Sequence, residues 1–281
     1  MYPNELFNIF GISIDLYTIC FLVGVIACFV FTYIALKKCG YSYTARDTIL
    51  IIGIFAILIG ILSAALFQAF YNLIAGKGFT FQGMTFIGGL IGGVISFLAI
   101  YFLYTYFINP KLKDKNFFKS DMNKGVWYLL RIAPASITIA HAFGRLGCMF
   151  AGCCYGHVTD EWYGMWNQEL HAHTVPIQLY EAIFLFVLSA VMIVLLFVFK
   201  FKYNMSLYLV GYGIWRFIIE YFRADYRGDF IPGLSPSQFW SIIMFILGVV
   251  IFFLYRKFDP IFNKEKVTET PKVESETTQN Q

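Results

Sequence analysis

Seven runs of about 20 mostly apolar residues recur along the chain, at 14–36, 49–73, 84–107, 126–150, 177–198, 207–222 and 238–255. Helices of that length match the hydrocarbon core of a bilayer and satisfy their own backbone hydrogen bonds within it. The pattern predicts an all-α polytopic membrane protein with seven transmembrane helices. The first run is too long for a cleavable leader, has no basic residues before it and no small-x-small site after it, so it is expected to stay in place. Beyond Phe262 the chain becomes polar, lacks aromatics and mixes charges. Such a segment buries too little apolar area to order itself. The expected organisation is a seven-span domain over 1–262 and a disordered cytoplasmic tail over 263–281.

Composition sharpens this reading. The 281 residues are 59% hydrophobic and 14% charged, against roughly 25% charged in soluble domains, and the mean hydropathy is +0.66. A soluble globule is excluded. The net charge of +4 is small and scattered, which argues against a nucleic-acid surface. Its distribution sets an orientation, because loops left in the cytoplasm retain Lys and Arg. Fifteen basic residues lie in the loops after spans one, three and five and in the tail, and only Lys77, Arg223 and Arg227 lie in the other set. The N-terminus is therefore expected outside and the C-terminus in the cytoplasm.

Three arginines, Arg131, Arg145 and Arg216, fall within the spans. An ionisable group there costs about 2.5–3.5 kcal/mol on insertion scales, so it needs a partner, an aqueous cavity or a function. Arg131 is near the inner end of span four and can reach the headgroups. Counting along the helix puts Arg145 roughly 30 Å from Lys124, at the outer interface, and Arg216 roughly 20 Å from Lys202. His141, Arg145 and Cys148 form one helical stripe, and Tyr212, Arg216, Glu220 and Arg223 form another. One reading is an Arg216–Glu220 pair that merely neutralises itself. Two arginine stripes at one depth exceed what that single glutamate balances, and paired guanidiniums suit a phosphodiester. The residues point to a phospholipid site facing outward, with Glu220 or His141 available to manage a proton. Gly88, Gly89, Gly92 and Gly93 in span three read as close helix packing or as a place where backbone approaches a lipid headgroup.

Of the six cysteines, Cys20, Cys28 and Cys39 read as packing residues, whereas Cys148, Cys153 and Cys154 cluster in GRLGCMFAGCCYGH. That spacing matches no recognised zinc motif. A disulfide in an oxidising setting, or a thiol activated by Arg145 as a transient acceptor, are the other readings.

Several segments together are similar to bacterial prolipoprotein diacylglyceryl transferases. They are LYTICFLVG in span one, FIGGLIGG in span three, GRLG in span four, HTVPIQLYEAIF, YGIWRFIIEYFRAD and LSPSQFWSI. The resemblance covers nearly the whole chain before the tail and marks a divergent, cysteine-rich branch. It implies a multi-pass enzyme of the bacterial cytoplasmic membrane, with its active site facing the outer leaflet. Such an enzyme moves diacylglyceryl from phosphatidylglycerol to the lipobox cysteine of secreted preproteins and releases glycerol phosphate. It also implies that Arg145 and Arg216 are the essential arginines and Glu220 the essential glutamate. Tyr17, Gly144, Gln178, Tyr180, Glu181, Tyr212 and Arg223, with Gly88 and Gly89, are expected to bind substrate. Where the family carries HGG, this chain has Ile87 before Gly88 and Gly89, and Cys148 and Cys153 replace the family's Asn and Glu.

The leading expectation is accordingly a diacylglyceryl transferase acting in lipoprotein biosynthesis. It would use phosphatidylglycerol and preprotein signal peptides as partners, with no nucleic acid, no metal and no cofactor. Arg145, Arg216, Glu220 and His141 are the expected catalytic groups. The alternatives are the same fold acting on another acceptor (a lipid, a sugar or a small thiol), or a non-catalytic lipid-binding or redox protein built on the three thiols.

Overall fold

The computed structural model describes residues 6–9, 12–74, 76, 78–81, 85–113, 125–224 and 233–268. They contain seven α-helices: α1 (Leu16–Lys38), α2 (Tyr43–Ile74), α3 (Phe86–Leu103), α4 (Gly125–Phe150), α5 (Ile177–Phe197), α6 (Asn204–Ile219) and α7 (Pro236–Thr268). Each apolar run in the sequence becomes one of them. Five segments are long and apolar enough to cross a membrane, namely Leu16–Lys38, Tyr43–Leu73, Gly88–Lys111, Ile177–Phe197 and Pro236–Phe258. α4 and α6 are not among them. The same residues that make these two helices informative, His141 and Arg145 on one and Arg216 on the other, dilute their apolar character, and α6 has only 16 residues. The protein is thus an all-α, multi-pass membrane protein. α7 runs on to Thr268, past the point where the polar tail was expected to begin, because extending an existing helix costs far less than nucleating one. Residues 269–281 lie outside the described set.

Two short hairpins were not legible in the hydropathy pattern. β1 (Phe7–Ile9) pairs antiparallel with β2 (Ile12–Ile14), and β3 (Met165–Asn167) with β4 (Ala172–Thr174). Three-residue strands are too short to register as period-two alternation.

The chain divides into two compact units. One comprises Val25–Ile132 and the other Met1–Gly24 with Ala133–Gln281. In the first unit, α2 and α3 pack through small residues. A Cβ on Gly60 would meet the Gly89 carbonyl oxygen at 3.1 Å, and one on Gly88 would meet the Phe67 Cβ at 2.5 Å. Ser63 Oγ donates to the Gly88 carbonyl at 2.9 Å. The glycines of FIGGLIGG thus do the close packing anticipated for them. Arg131 stacks over the Tyr128 ring at 4.7 Å.

In the second unit, α6 and α7 approach closely at Gly213 and Gly248. Cβ atoms there would come within 3.0 Å of the Ser241 carbonyl oxygen and 2.8 Å of Val210 Cγ2, respectively. α4 carries Pro134 inside the helix, where a proline withdraws a backbone donor. The carbonyls around it are used nonetheless: Thr138 Oγ1 donates to Pro134 O at 2.6 Å, and Ser189 Oγ on α5 donates to Ala135 O at 3.1 Å. Glycine again sets the crossing of the first turns of α1 over α4, where a Gly147 Cβ would sit 3.0 Å from the Tyr17 ring.

Candidate active site

The second unit gathers its charged side chains around one buried carboxylate. Glu181 lies in the first turns of α5 and its side chain is 4% exposed. Arg145 Nε on α4 stands 3.1 Å from Glu181 Oε1, and Arg216 Nη1 on α6 stands 3.7 Å from Oε2. Tyr212, one turn before Arg216, donates its hydroxyl to Glu181 Oε1 at 2.7 Å and accepts from Arg145 Nη2 at 3.4 Å. Three helices therefore meet on one anion.

A second carboxylate completes the arrangement. Arg216 Nη2 donates to Glu220 Oε2 at 2.7 Å and to Ser237 Oγ at 2.9 Å. Arg223 Nε lies 3.7 Å from the same Glu220 oxygen, and Ser235 Oγ donates to Glu220 Oε1 at 3.0 Å. Local sequence explains why the serines are there. Ser235-Pro236-Ser237-Gln238 opens α7 as a capping box: Gln238 N donates to Ser235 Oγ at 3.2 Å, and Ser235 N donates to Gln238 Oε1 at 3.1 Å. Pro236 takes the first helical position, where no donor is needed. Capping α7 thus also delivers two hydroxyls to the ion pairs.

Among the described residues these contacts set three guanidiniums against two carboxylates. Arg145 Nε and Arg216 Nη1 are buried yet make no aligned hydrogen bond to protein. Buried N–H groups of that kind are held at a cost unless a further acceptor joins them. The arrangement is suited to an anion with several oxygens.

The model of the prolipoprotein diacylglyceryl transferase family matches residues 4–254. The chain belongs to that family. It is 32% identical over 268 residues to the phosphatidylglycerol–prolipoprotein diacylglyceryl transferase of Clostridium tetani, an alignment covering 88% of this chain and 95% of that protein. A Dehalococcoides mccartyi protein of the same name is 31% identical over 89% of this chain and 92% of its own length. The second such protein of Clostridium perfringens is 30% identical over 70% and 88%. The protein is a membrane-embedded transferase, and its family and architecture accord with the bacterial plasma membrane.

The transferase brings most of the residues singled out in its sequence into one place. Arg145, Glu181, Tyr212, Arg216, Glu220 and Arg223 form the centre described above. His141 sits beside it through α6: its Nδ1 is 3.4 Å from the Tyr208 hydroxyl, and its ring meets the Tyr212 ring edge-on at 4.7 Å. Gly144 leaves open space, since a Cβ there would meet nothing within 4 Å. Gln178 and Tyr180 diverge from Glu181. Gln178 donates to the Cys153 carbonyl in the loop after α4, while Tyr180 lines an open apolar groove of about 360 Å³ with Ile183, Phe184, Val187 and Trp215. Tyr17 packs against Gly147 on α4. Gly88 and Gly89 belong to the other unit and pack on α2.

Four groups were missed. The resemblance implies a substrate contact for Glu181, and the structure makes it the counter-ion shared by Arg145 and Arg216. Tyr208 was overlooked although it lies one turn before Tyr212 on the same stripe. Ser235 and Ser237 show in the sequence as a capping box, a signal that carries no hint of an ion pair.

The trio Cys148, Cys153 and Cys154 is a true cluster, with all three sulfurs within 4.8 Å of one another. No two of the six cysteines are joined by a disulfide. Hydrogen bonding to Cys148, then to Cys154, pushes the Cys153 thiol well above its ordinary range.

Proposed function

We propose that this transferase moves diacylglyceryl from phosphatidylglycerol to the lipobox cysteine of secreted preproteins, releasing glycerol phosphate. The observation that carries the reading is the meeting of Arg145 and Arg216 on Glu181, with an unsatisfied N–H on each arginine. The seven helices would all span, with the N-terminus outside, the C-terminus in the cytoplasm and the centre facing the outer leaflet. That is the level of phospholipid phosphates.

In this reading the lipid phosphodiester docks on Arg145 and Arg216, with Arg223 at the edge. The acceptor sulfur attacks the glyceryl carbon that bears the phosphate ester. The carbon–oxygen bond breaks, and glycerol phosphate leaves with the bonding electrons, its growing negative charge held by guanidiniums already in place. Glu220 or His141 receives the thiol proton. Glu220 holds Arg216 and Arg223, Glu181 holds the arginine pair, and Tyr212 orients Glu181. The apolar groove beside Tyr180 takes an acyl chain.

The test is purified protein in detergent with glyceryl-labelled phosphatidylglycerol and a synthetic lipobox peptide, scored by product mass. A thioether-linked diacylglyceryl peptide is the expected product. Lipid binding without any adduct, in folded protein, would overturn the reading in favour of another acceptor or of binding alone. Two smaller effects are expected in the same assay. Tyr212→Phe removes two hydrogen bonds to charged groups, one to Glu181 and one from Arg145, each worth about 1.5–3 kcal/mol, and should slow turnover roughly tenfold or more. Val187→Trp narrows the groove and should depress kcat/KM for long-chain lipid more than for short-chain lipid. Equal depression for both would place the acyl chains elsewhere.

A further inference from the structure

The loop after α4 is folded so that three thiols converge before any ligand arrives. Gly152 closes the helix at φ +73°, and Cys154 follows at φ +61°, a conformation L-residues adopt only when the surroundings impose it. The surroundings are visible. The buried Asn167 Nδ2 donates to the Gly152 carbonyl at 3.0 Å, and Gln178 Nε2 donates to the Cys153 carbonyl. Two side-chain amides, one from the β3 end and one from α5, thus pin successive peptides of the turn. The Cys153 thiol reaches back toward the Cys148 carbonyl at 3.6 Å.

Zinc–thiolate bonds of about 2.3 Å at the tetrahedral angle place sulfurs roughly 3.8 Å apart. Sulfurs already within 4.8 Å of one another need only close in slightly. Cys153 is exposed, which gives an ion a way in, and among the described residues the group offers three ligands. Three protein ligands with one open position is the pattern of zinc that does chemistry, as distinct from the closed four-ligand structural site. Cys148 lies three residues beyond Arg145 on α4, a rise of about 4.5 Å, so the open position would adjoin the cationic centre.

We propose that Cys148, Cys153 and Cys154 bind Zn²⁺ as three thiolates and that the fourth position takes the acceptor thiol. The inference departs from the expectation that no metal is needed, and it rests on the thiol-acceptor reading above. A thiol bound to zinc is deprotonated outright. The acceptor R–SH therefore coordinates as R–S⁻ and gives its proton to solvent, which reaches the exposed Cys153. Its sulfur then attacks the glyceryl carbon, and glycerol phosphate departs with the electron pair of the broken carbon–oxygen bond. The thioether formed is neutral, a weaker ligand than the thiolate, and leaves the zinc. No electrons are exchanged with the metal. Three thiolates with Zn²⁺ carry one negative charge, and two once the acceptor thiolate joins them, with the Arg145 guanidinium three residues from Cys148 on α4.

The experiment uses the full chain in detergent, stripped with a chelator and titrated with ZnCl₂ against a competing dye, with X-ray absorption at the zinc edge. Zinc is expected at one ion per chain, with three sulfurs rising to four when a lipobox peptide is added and staying at three when the peptide carries Ser instead of Cys. Cys153→Ser and Cys154→Ser should each weaken zinc binding by roughly a hundredfold or more. Asn167→Ala, which frees the turn without removing a ligand, should cost about tenfold. The inference is overturned if the folded, reduced protein binds no zinc, if non-reducing mass spectrometry finds the trio bridged by a disulfide, or if the sulfur count ignores the peptide. Full transfer by zinc-free protein would overturn it while leaving the proposed reaction standing. Peptide-dependent four-sulfur zinc without any transfer would do the reverse.

Discussion

Replacing Glu181 with alanine is expected to destabilise the transferase by about 3–5 kcal/mol, the range for leaving one side of a buried ion pair uncompensated, and to abolish transfer. The reason lies in how many groups depend on this carboxylate. Arg145 and Arg216, with side chains only 18% and 9% exposed, both face it, and the Tyr212 hydroxyl donates to it at 2.7 Å. Without it two guanidiniums from different helices repel across a site that water reaches poorly. Glu181→Gln keeps an acceptor for Tyr212 and the side-chain volume, so it should recover part of the stability and little of the activity. Thermal unfolding in detergent, followed by intrinsic fluorescence beside the peptide-mass assay, checks both. A Glu181→Ala protein with wild-type unfolding and turnover would show that the arginines do not need this counter-ion.

Arg145→Ala should separate chemistry from stability. Removing Arg145 leaves Glu181 facing Arg216 at 3.7 Å and still bonded to Tyr212, so the unfolding temperature should fall less than in Glu181→Ala. Transfer should nevertheless drop by about 10²–10³, the effect of deleting one preorganised donor to a developing anion. Arg145→Lys is expected to recover little, because one ammonium cannot present the planar pair of N–H groups that grips a phosphodiester. Arg216→Ala should lose both properties, since Arg216 also ties Glu220 and Ser237 together. If Arg145→Ala and Arg216→Ala both retain transfer, the arginines do not hold the phosphate.

The positions of the helices were legible in the chain because apolar runs of bilayer length carry a strong signal. The arginine stripes stood out for the same reason, as charges where none are cheap. Their partner was harder to see. A glutamate four residues from Arg216 invited a pairing along one helix, and Glu220 does pair there at 2.7 Å. The carboxylate shared between helices, Glu181, sits at the mouth of α5 beside Gln178, a position that looks like an ordinary polar helix start. The thiols behaved similarly. C-x4-C-C matches no recognised spacing, yet a glycine helix end and two amide clamps close it into a cluster with sulfurs within 4.8 Å.

Sequence by itself determined the membrane setting, the seven helices and the arginines within them, because each follows from local composition and spacing, and it pointed to the family through motifs spread over several segments. Only the tertiary structure decided which carboxylate joins the arginines, which serines support Glu220, and that three cysteines face one another. Those facts depend on side chains brought together from α4, α5, α6 and the start of α7. Pairing across helices is set by packing at small residues such as Gly213 and Gly248, which no periodicity within a single helix encodes.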